Sequence, residues 1–352
     1  MKMIGLSLSL ALVLSGCAKL QIIDEIKIVQ SLGYDMEGQA IKGYASYPLY
    51  KTTHGGSPLL LMAGQSDTVQ GITASFTAQS QFPIVLGQTR TLVLSKDFAK
   101  HRISELIHSL LRDPVMGSNT TVVLTNQTSN KILTHSLKQP PYYFSNLIEQ
   151  NMKDGNTPTT NLHILLNQYF GEGQDIFLPI VNIDPDGLLH MDGAGIFKRE
   201  KFTLQINRQE AFFLKLLKDK NLTGQLELTT GKNERILMNL LNGKRNISLT
   251  NEKAVVSFVL HAQIKEYPAT VNLLDNKEMS DLKNRVEDEF QRKIVAVIEK
   301  FQIHNVDPAG FGELYRGKLK EWNEENFYRD TYPKLNFIIH TEVIFSQSGV
   351  GT

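Results

Sequence analysis

The sequence predicts an α+β fold: mixed, mostly antiparallel sheets with packed helices, in a multi-lobed body of unusual topology. Three observations lead there. Val256, Phe258, Leu260, Ala262 and Ile264 alternate at period two, the mark of a half-buried strand. Leu282, Val286, Phe290, Ile294, Val297 and Phe301 recur at helical steps. Segments of the two kinds follow one another without a regular strand–helix–strand beat, which favours antiparallel over doubly wound parallel sheets.

The chain opens on Lys2, an apolar run from Ile4 to Leu14, and then Leu14-Ser15-Gly16-Cys17. A run of about 11 residues is too short for a span, which needs roughly 20, and reads as a signal-peptide core. Small residues directly before a cysteine match a bacterial lipobox. Residues 1–16 are therefore expected to be removed, and Cys17 to carry a diacylglycerol and an N-acyl lipid such as palmitate. A thiolate is the nucleophile that such a transfer needs, and two acyl signals anchor a protein stably where one does not. Cys17 is the only cysteine, so no disulfide or thiolate zinc site competes for it.

Removing the first 16 of 352 residues leaves 336, more than one compact core usually holds. The expected division is an N-terminal α+β region over 17–195, able to split into two lobes, and a C-terminal α+β domain over 196–352. Hydrophobic residues at 41% and charged residues at 21% suit a folded ectodomain. The formal charge of +1 falls to 0 with the loss of Lys2. Such a balance excludes a nucleic-acid binder and a polybasic membrane patch.

Taken in order, Ile26–Val29 and Ala40–Tyr47 read as strands bracketing a turn over Gly33–Gln39. Leu59–Ala63 reads as a strand and Asp67–Ser80 as a helix. Strands at Ile84–Leu86 and Thr91–Leu94 lead to a helix capped by Ser95 or Asp97 and stopped at Arg112-Asp113-Pro114. Thr120–Leu124 is a strand, Pro141–Asn151 and Pro158–Tyr169 are helices. Ile176–Ile183 and Leu188–Lys198 are strands around the turn Asp184-Pro185-Asp186-Gly187. Beyond Asn207, a helix over Gln209–Lys218 precedes strands at Gln225–Leu228, Ile247–Leu249 and Ala254–Lys265. The longest helix is expected over 275–303. Asp307-Pro308 reads as an N-cap with proline at the first helical position, and Leu335–Phe345 as a closing strand.

Candidate chemistry is sparse. Ser280-Asp281-Leu282-Lys283 has the Ser-x-x-Lys spacing of penicillin-binding enzymes but lacks their companion motifs, and Ser280 opens a charged helix. The paired glycines Gly171/Gly173, Gly193/Gly195 and Gly310/Gly312 lack the third glycine of a dinucleotide loop. His101 and His108 could share a helix face without a third metal ligand nearby. Glu287, Asp288 and Glu289 read as the wet side of the long helix. No catalytic, metal or cofactor site is expected.

These residues add up to a resemblance. The lipobox, Ile28-Val29 before Gly33-Tyr34-Asp35, Gly87-Gln88-Thr89-Arg90 with Leu92-Val93-Leu94-Ser95, and Arg112-Asp113-Pro114 come first. Gly193-Ala194-Gly195-Ile196-Phe197-Lys198 and the block from Asp307 to Arg316 follow, in that order and spacing. So placed, they resemble the Ger(x)C family, the lipoprotein C-subunits of spore germinant receptors. The resemblance implies a non-enzymatic subunit on the outer face of the spore inner membrane, assembled with A- and B-type integral-membrane subunits. A solute-binding lipoprotein of a transporter is the alternative, and it would need a ligand pocket between two similar lobes. In Phe311-Gly312-Glu313-Leu314-Tyr315-Arg316, packing of Phe311, Leu314 and Tyr315 with a Glu313–Arg316 surface pair is one expectation. Tyr315 and Arg316 as interface anchors is the other.

Overall fold

Thr91–Ser95 and Thr121–Thr125 are buried at every position, the behaviour of strands covered on both faces. They are the centre of the molecule. The computed structural model describes residues 25–49, 58–112, 115–230, 234–250, 252–269, 271–318 and 322–346. Cys17 and the lipobox lie outside these.

Three sheets are present among the described residues. A two-stranded parallel sheet joins β1 (Lys27–Ile28) to β5 (Ile84–Val85). The large sheet has eight strands in the order β10-β9-β8-β7-β6-β2-β3-β4. Its strands are β2 (Ser31–Glu37), β3 (Ala40–Pro48), β4 (Leu59–Ser66), β6 (Thr91–Ser95), β7 (Thr121–Thr125), β8 (Phe177–Ile183), β9 (Leu189–Lys198) and β10 (Lys201–Ile206). In it β2, β6, β7 and β8 run parallel, and antiparallel hairpins flank them. The third sheet, β11 (Gly224–Thr229), β12 (Arg235–Leu249), β13 (Lys253–Glu266) and β14 (Asn336–Phe345), is antiparallel except for the β13–β14 pair. Six of the eleven described pairings are thus antiparallel, a mixed α+β fold.

Helices cover both faces of the large sheet. On one side lie α1 (Val69–Ala78), α2 (Lys96–Arg112) and α5 (Leu162–Phe170), packed on Leu92, Leu94, Val122 and Leu124. On the other, α3 (Ser129–Ser136) and α4 (Tyr143–Lys153) pack on Val93 and Val123. The sheet's two faces are thus the two parities of the same strands. α6 (Arg208–Lys218) and α7 (Asn276–Ile303) belong to a third core with the four-stranded sheet. That core reaches into the large sheet: Ala194, Ile196, Leu204 and Ile206 of β9 and β10 are members of it. The expected boundary at 195/196 falls inside β9.

Several expectations are corrected. Gly33 to Glu37 is strand, not turn; the hairpin turns at Gly38-Gln39, and its partner strands are β2 and β3. The reason is tertiary. A Cβ on Gly33 would stand 2.6 Å from the Ser129 hydroxyl, and Asp35 accepts from the Ser129 and Asn130 N–H groups at 2.7 and 3.2 Å. Gly33 and Asp35 therefore seat α3, a helix whose eight residues carry too little periodicity to be read. The strand β10 also went unread, because its burial rests on the neighbouring core. β12 spans fifteen residues rather than Ile247–Leu249 alone, its polar outer half being paired only with β13. Glu289 is buried, held by Arg292 at 2.6 Å, and Glu287 accepts from the Val343 N–H at 2.7 Å, so two of the three carboxylates thought wet are bound.

Candidate functional site at the Asp307 junction

Asp307 does not cap a helix directly after Pro308. Helix α8 (Phe311–Arg316) starts four residues later, after Gly310 at φ +79°. Asp307 is instead fully buried, and its carboxylate closes the intervening loop by accepting from the Gly310 and Gly312 N–H groups at 2.9 and 2.7 Å. The loop is tight enough that glycine meets glycine. A Cβ on Gly312 would lie 2.8 Å from the Gly173 carbonyl oxygen, and one on Gly173, itself at φ +83°, would strike the Gly312–Glu313 backbone.

Gly173 belongs to the segment leaving α5, and this segment is clamped by the C-terminal part of the chain. The Glu313 N–H donates to the Gly173 carbonyl at 2.7 Å, and the Gly173 N–H donates to Glu324 Oε1 at 2.8 Å. Two residues on, Asp175 and Asp307 pair reciprocally. The Asp307 N–H donates to Asp175 Oδ2 at 2.7 Å, and the Asp175 N–H to the Asp307 carbonyl at 3.0 Å. Lys198 Nζ reaches Asp175 Oδ2 at 3.0 Å while lying 3.5 Å over the Tyr328 ring. Tyr328 stands on a π-helical turn, Phe327–Thr331, and its hydroxyl donates to Asp307 Oδ2 at 3.4 Å.

Burial dominates the electrostatics. Loss of water pushes the Asp307 carboxyl up to about 6, although two backbone N–H groups pull the other way. Asp175 is raised by the same cause, with Lys198 and the Asp307 N–H opposing. Tyr328 and Tyr332 are both driven upward by burial beside these acids. Both Asp307 oxygens and Asp175 Oδ2 are engaged by the chain itself. The arrangement fastens the two segments together and can take up a proton at Asp307.

Tyr315 is buried in this junction. Its ring packs 5.2 Å from Phe327, and its hydroxyl donates to the Thr250 carbonyl at 2.7 Å. Helical phase turns Tyr315 toward the aromatic cluster. Arg316 is half-exposed and lies 3.7 Å from Glu172, not from Glu313. Leu314, expected in the core, is exposed instead. Glu172 also accepts from the Trp322 indole N–H at 2.8 Å. Open clefts of about 1030 and 880 Å³ flank the Gly171–Asp175 segment; Tyr328 lines the first and Arg316 the second.

The other candidates are not brought together. Ser280 is exposed, and Lys283 pairs with Glu287 at 3.7 Å rather than with Ser280. His101 and His108 both face the cleft along α2, where His108 packs edge-on to Tyr169 and Phe170; no group of three metal-ligating side chains occurs among the described residues. Sequence reasoning missed Asp175 and Lys198. The signal was the glycine doublet Gly171/Gly173, useless as a nucleotide loop yet matched by Gly310/Gly312 at the other side of the contact.

The two halves of the junction come from two regions that known proteins also distinguish. Residues 19–183 match the domain described as "Spore germination protein N-terminal domain", and residues 192–349 match "Spore germination B3/ GerAC like, C-terminal". The class is thus that of spore germination proteins, and the chain belongs to the Ger(x)C family. It is 29% identical to spore germination protein GerQC of Bacillus cereus, over 98% of each chain. The fold is similar to the crystal structure of the GerBC protein, with a TM-score of 0.57 at 15% identity, covering 89% of this chain and 96% of that one.

Proposed function

We propose that this chain is a non-enzymatic C-subunit of a spore germinant receptor, held by lipid on Cys17 to the outer face of the spore inner membrane. There it assembles with A- and B-type integral-membrane subunits and takes part in nutrient-triggered germination. The observation that carries this reading is the match of both germination-protein domains, in order, along nearly the whole chain. Two features accord with it. The lipobox ends on the sole cysteine, and no helix among the described residues is long and apolar enough to cross a membrane. A lipid hook holds the body in two dimensions with its partners, raising their effective concentration, so modest contact surfaces suffice. Arg316, exposed at the second cleft, is the residue we assign to such a contact.

The test is Cys17→Ala. The variant should leave the membrane fraction of spores and lower nutrient-triggered germination while the protein stays folded. Normal membrane retention of the variant would refute the lipid anchor. Retained germination with release from the membrane would refute the need for it.

A further inference from the structure

The first described strand lies beside one corner of the large sheet. The Lys27 N–H of β1 donates to the Pro83 carbonyl at 2.9 Å, and Lys27 pairs with Ile84 of β5. The Lys27 ammonium lies 5.1 Å over the Tyr47 ring. Tyr47 pairs with Leu60 across β3 and β4, and the Leu49 N–H donates to the Pro58 carbonyl at 2.9 Å. By strand alternation Tyr47, Leu49 and their partners Leu60 and Pro58 share one face of the sheet. Leu49 and Leu60 are both exposed there. From Gly38 to Ser66 the sequence contains no aspartate or glutamate, and the nearest acids along the chain to Lys27 are Asp24 and Glu25.

The corner is also where the chain leaves for Cys17. Eight residue steps separate Cys17 from Glu25, at most about 28 Å when fully extended. A folded chain of this length has a radius of gyration of about 20 Å and is on the order of 50 Å across. A tether shorter than the body is wide keeps this corner on the membrane side.

We propose that this corner, with Leu49, Leu60 and Pro58 as its apolar patch and Lys27 as its cation, seats in the headgroup–acyl boundary of an anionic bilayer. The proposal rests on the lipid anchor at Cys17. The tether supplies proximity, the leucines supply apolar area, and the acid-free stretch from Gly38 to Ser66 avoids repulsion by anionic headgroups. The body is thereby held in one orientation rather than swinging on its hook.

The sole cysteine makes the test clean, because lipidation consumes its thiol. Lipidated Leu60→Cys protein is labelled with an environment-sensitive thiol fluorophore and reconstituted in phosphatidylglycerol/phosphatidylcholine vesicles carrying brominated acyl chains. Leu49→Cys serves as a second probe site, and Leu274→Cys, 94% exposed before α7, as the control. Docking predicts at least about a twofold loss of fluorescence at positions 60 and 49 but not at 274, as expected for groups 5–10 Å into the boundary. Co-sedimentation without quenching at either site overturns the docking and leaves the anchor standing. Failure to co-sediment, with the label on Cys17 itself, overturns the anchor and the docking together. Shielding of position 60 in spore membranes but not in plain vesicles assigns the corner to a protein partner and overturns the bilayer contact.

Discussion

Asp307 shows how one residue's role depends on what surrounds it. The dipeptide Asp307-Pro308 is a common helix opening, yet here the carboxylate is fully buried and closes a glycine loop against Asp175. Its pKa is raised from 3.8 to about 6 by burial. A carboxyl whose folded value lies above its unfolded one contributes stability that is complete below about pH 3.8 and is lost as pH rises through 6. Asp175, raised in the same direction, adds with the same sign. The Asp307→Asn protein keeps the shape but cannot titrate, and one backbone N–H loses its acceptor, costing about 1–3 kcal/mol at any pH. Relative to this variant, the wild type should gain up to about 3 kcal/mol as pH falls from 7 to 4. Urea midpoints across that range measure it, and a constant difference between the two proteins would contradict the buried titration. The sequence hid this site because neither acid is near the other in the chain, and an Asp-Pro pair before glycines carries a stronger local signal than a distant buried partner.

At the scale of elements, legibility followed self-sufficiency. Helix α7 could be read from its own spacing, since Leu282, Val286, Phe290, Ile294, Val297 and Phe301 are all buried. Its cap was equally local: Asp275 accepts from the Lys277 and Glu278 N–H groups. β13 was readable for the same reason, with buried and half-buried residues alternating from Ala254 to Ile264. Helix α3 and strand β10 were not, because each owes its place to residues far along the chain. A prediction belongs here. Phe290 sits edge-on between Phe213 of α6 and Phe258 of β13, at centroid distances of 5.5 and 5.8 Å. It thus joins the helix, its neighbour and the sheet beneath. Phe290→Ala should destabilise the fold by about 3–5 kcal/mol, read as a drop in urea midpoint. A loss below about 1 kcal/mol would mean that the three elements do not depend on this contact.

The whole molecule is bound together by a shared hairpin. β9 and β10 pair into the eight-stranded sheet, while Ala194, Ile196, Leu204 and Ile206 on them lie in the core of the four-stranded sheet. The Asp175–Asp307 pair and the Gly173–Gly312 contact add a second fastening between the same parts. Two domains read from chain length are therefore expected to unfold as one. Denaturant curves followed by Trp322 fluorescence and by far-ultraviolet dichroism should coincide in a single transition; two separated transitions would show that the halves are independent. This coupling was beyond the reach of the sequence, since a strand counted once in the chain serves two cores in space.

The β8–β9 hairpin carries a consequence for exchanging parts between relatives. The two matched germination-protein regions stop at 183 and resume at 192, on either side of the turn closed by Asp184, whose Oδ1 accepts from the Leu188 N–H at 2.7 Å. A chimaera spliced at that turn would look natural on paper. It would nonetheless mate a β8 from one parent with a β9 from another across six cross-strand positions, from Phe177↔Ile196 to Ile183↔Leu189. Graftable modules in this family are better cut after Ile206, so that the hairpin travels with the sheet that pairs it and only the apolar faces of β9 and β10 must suit their new host.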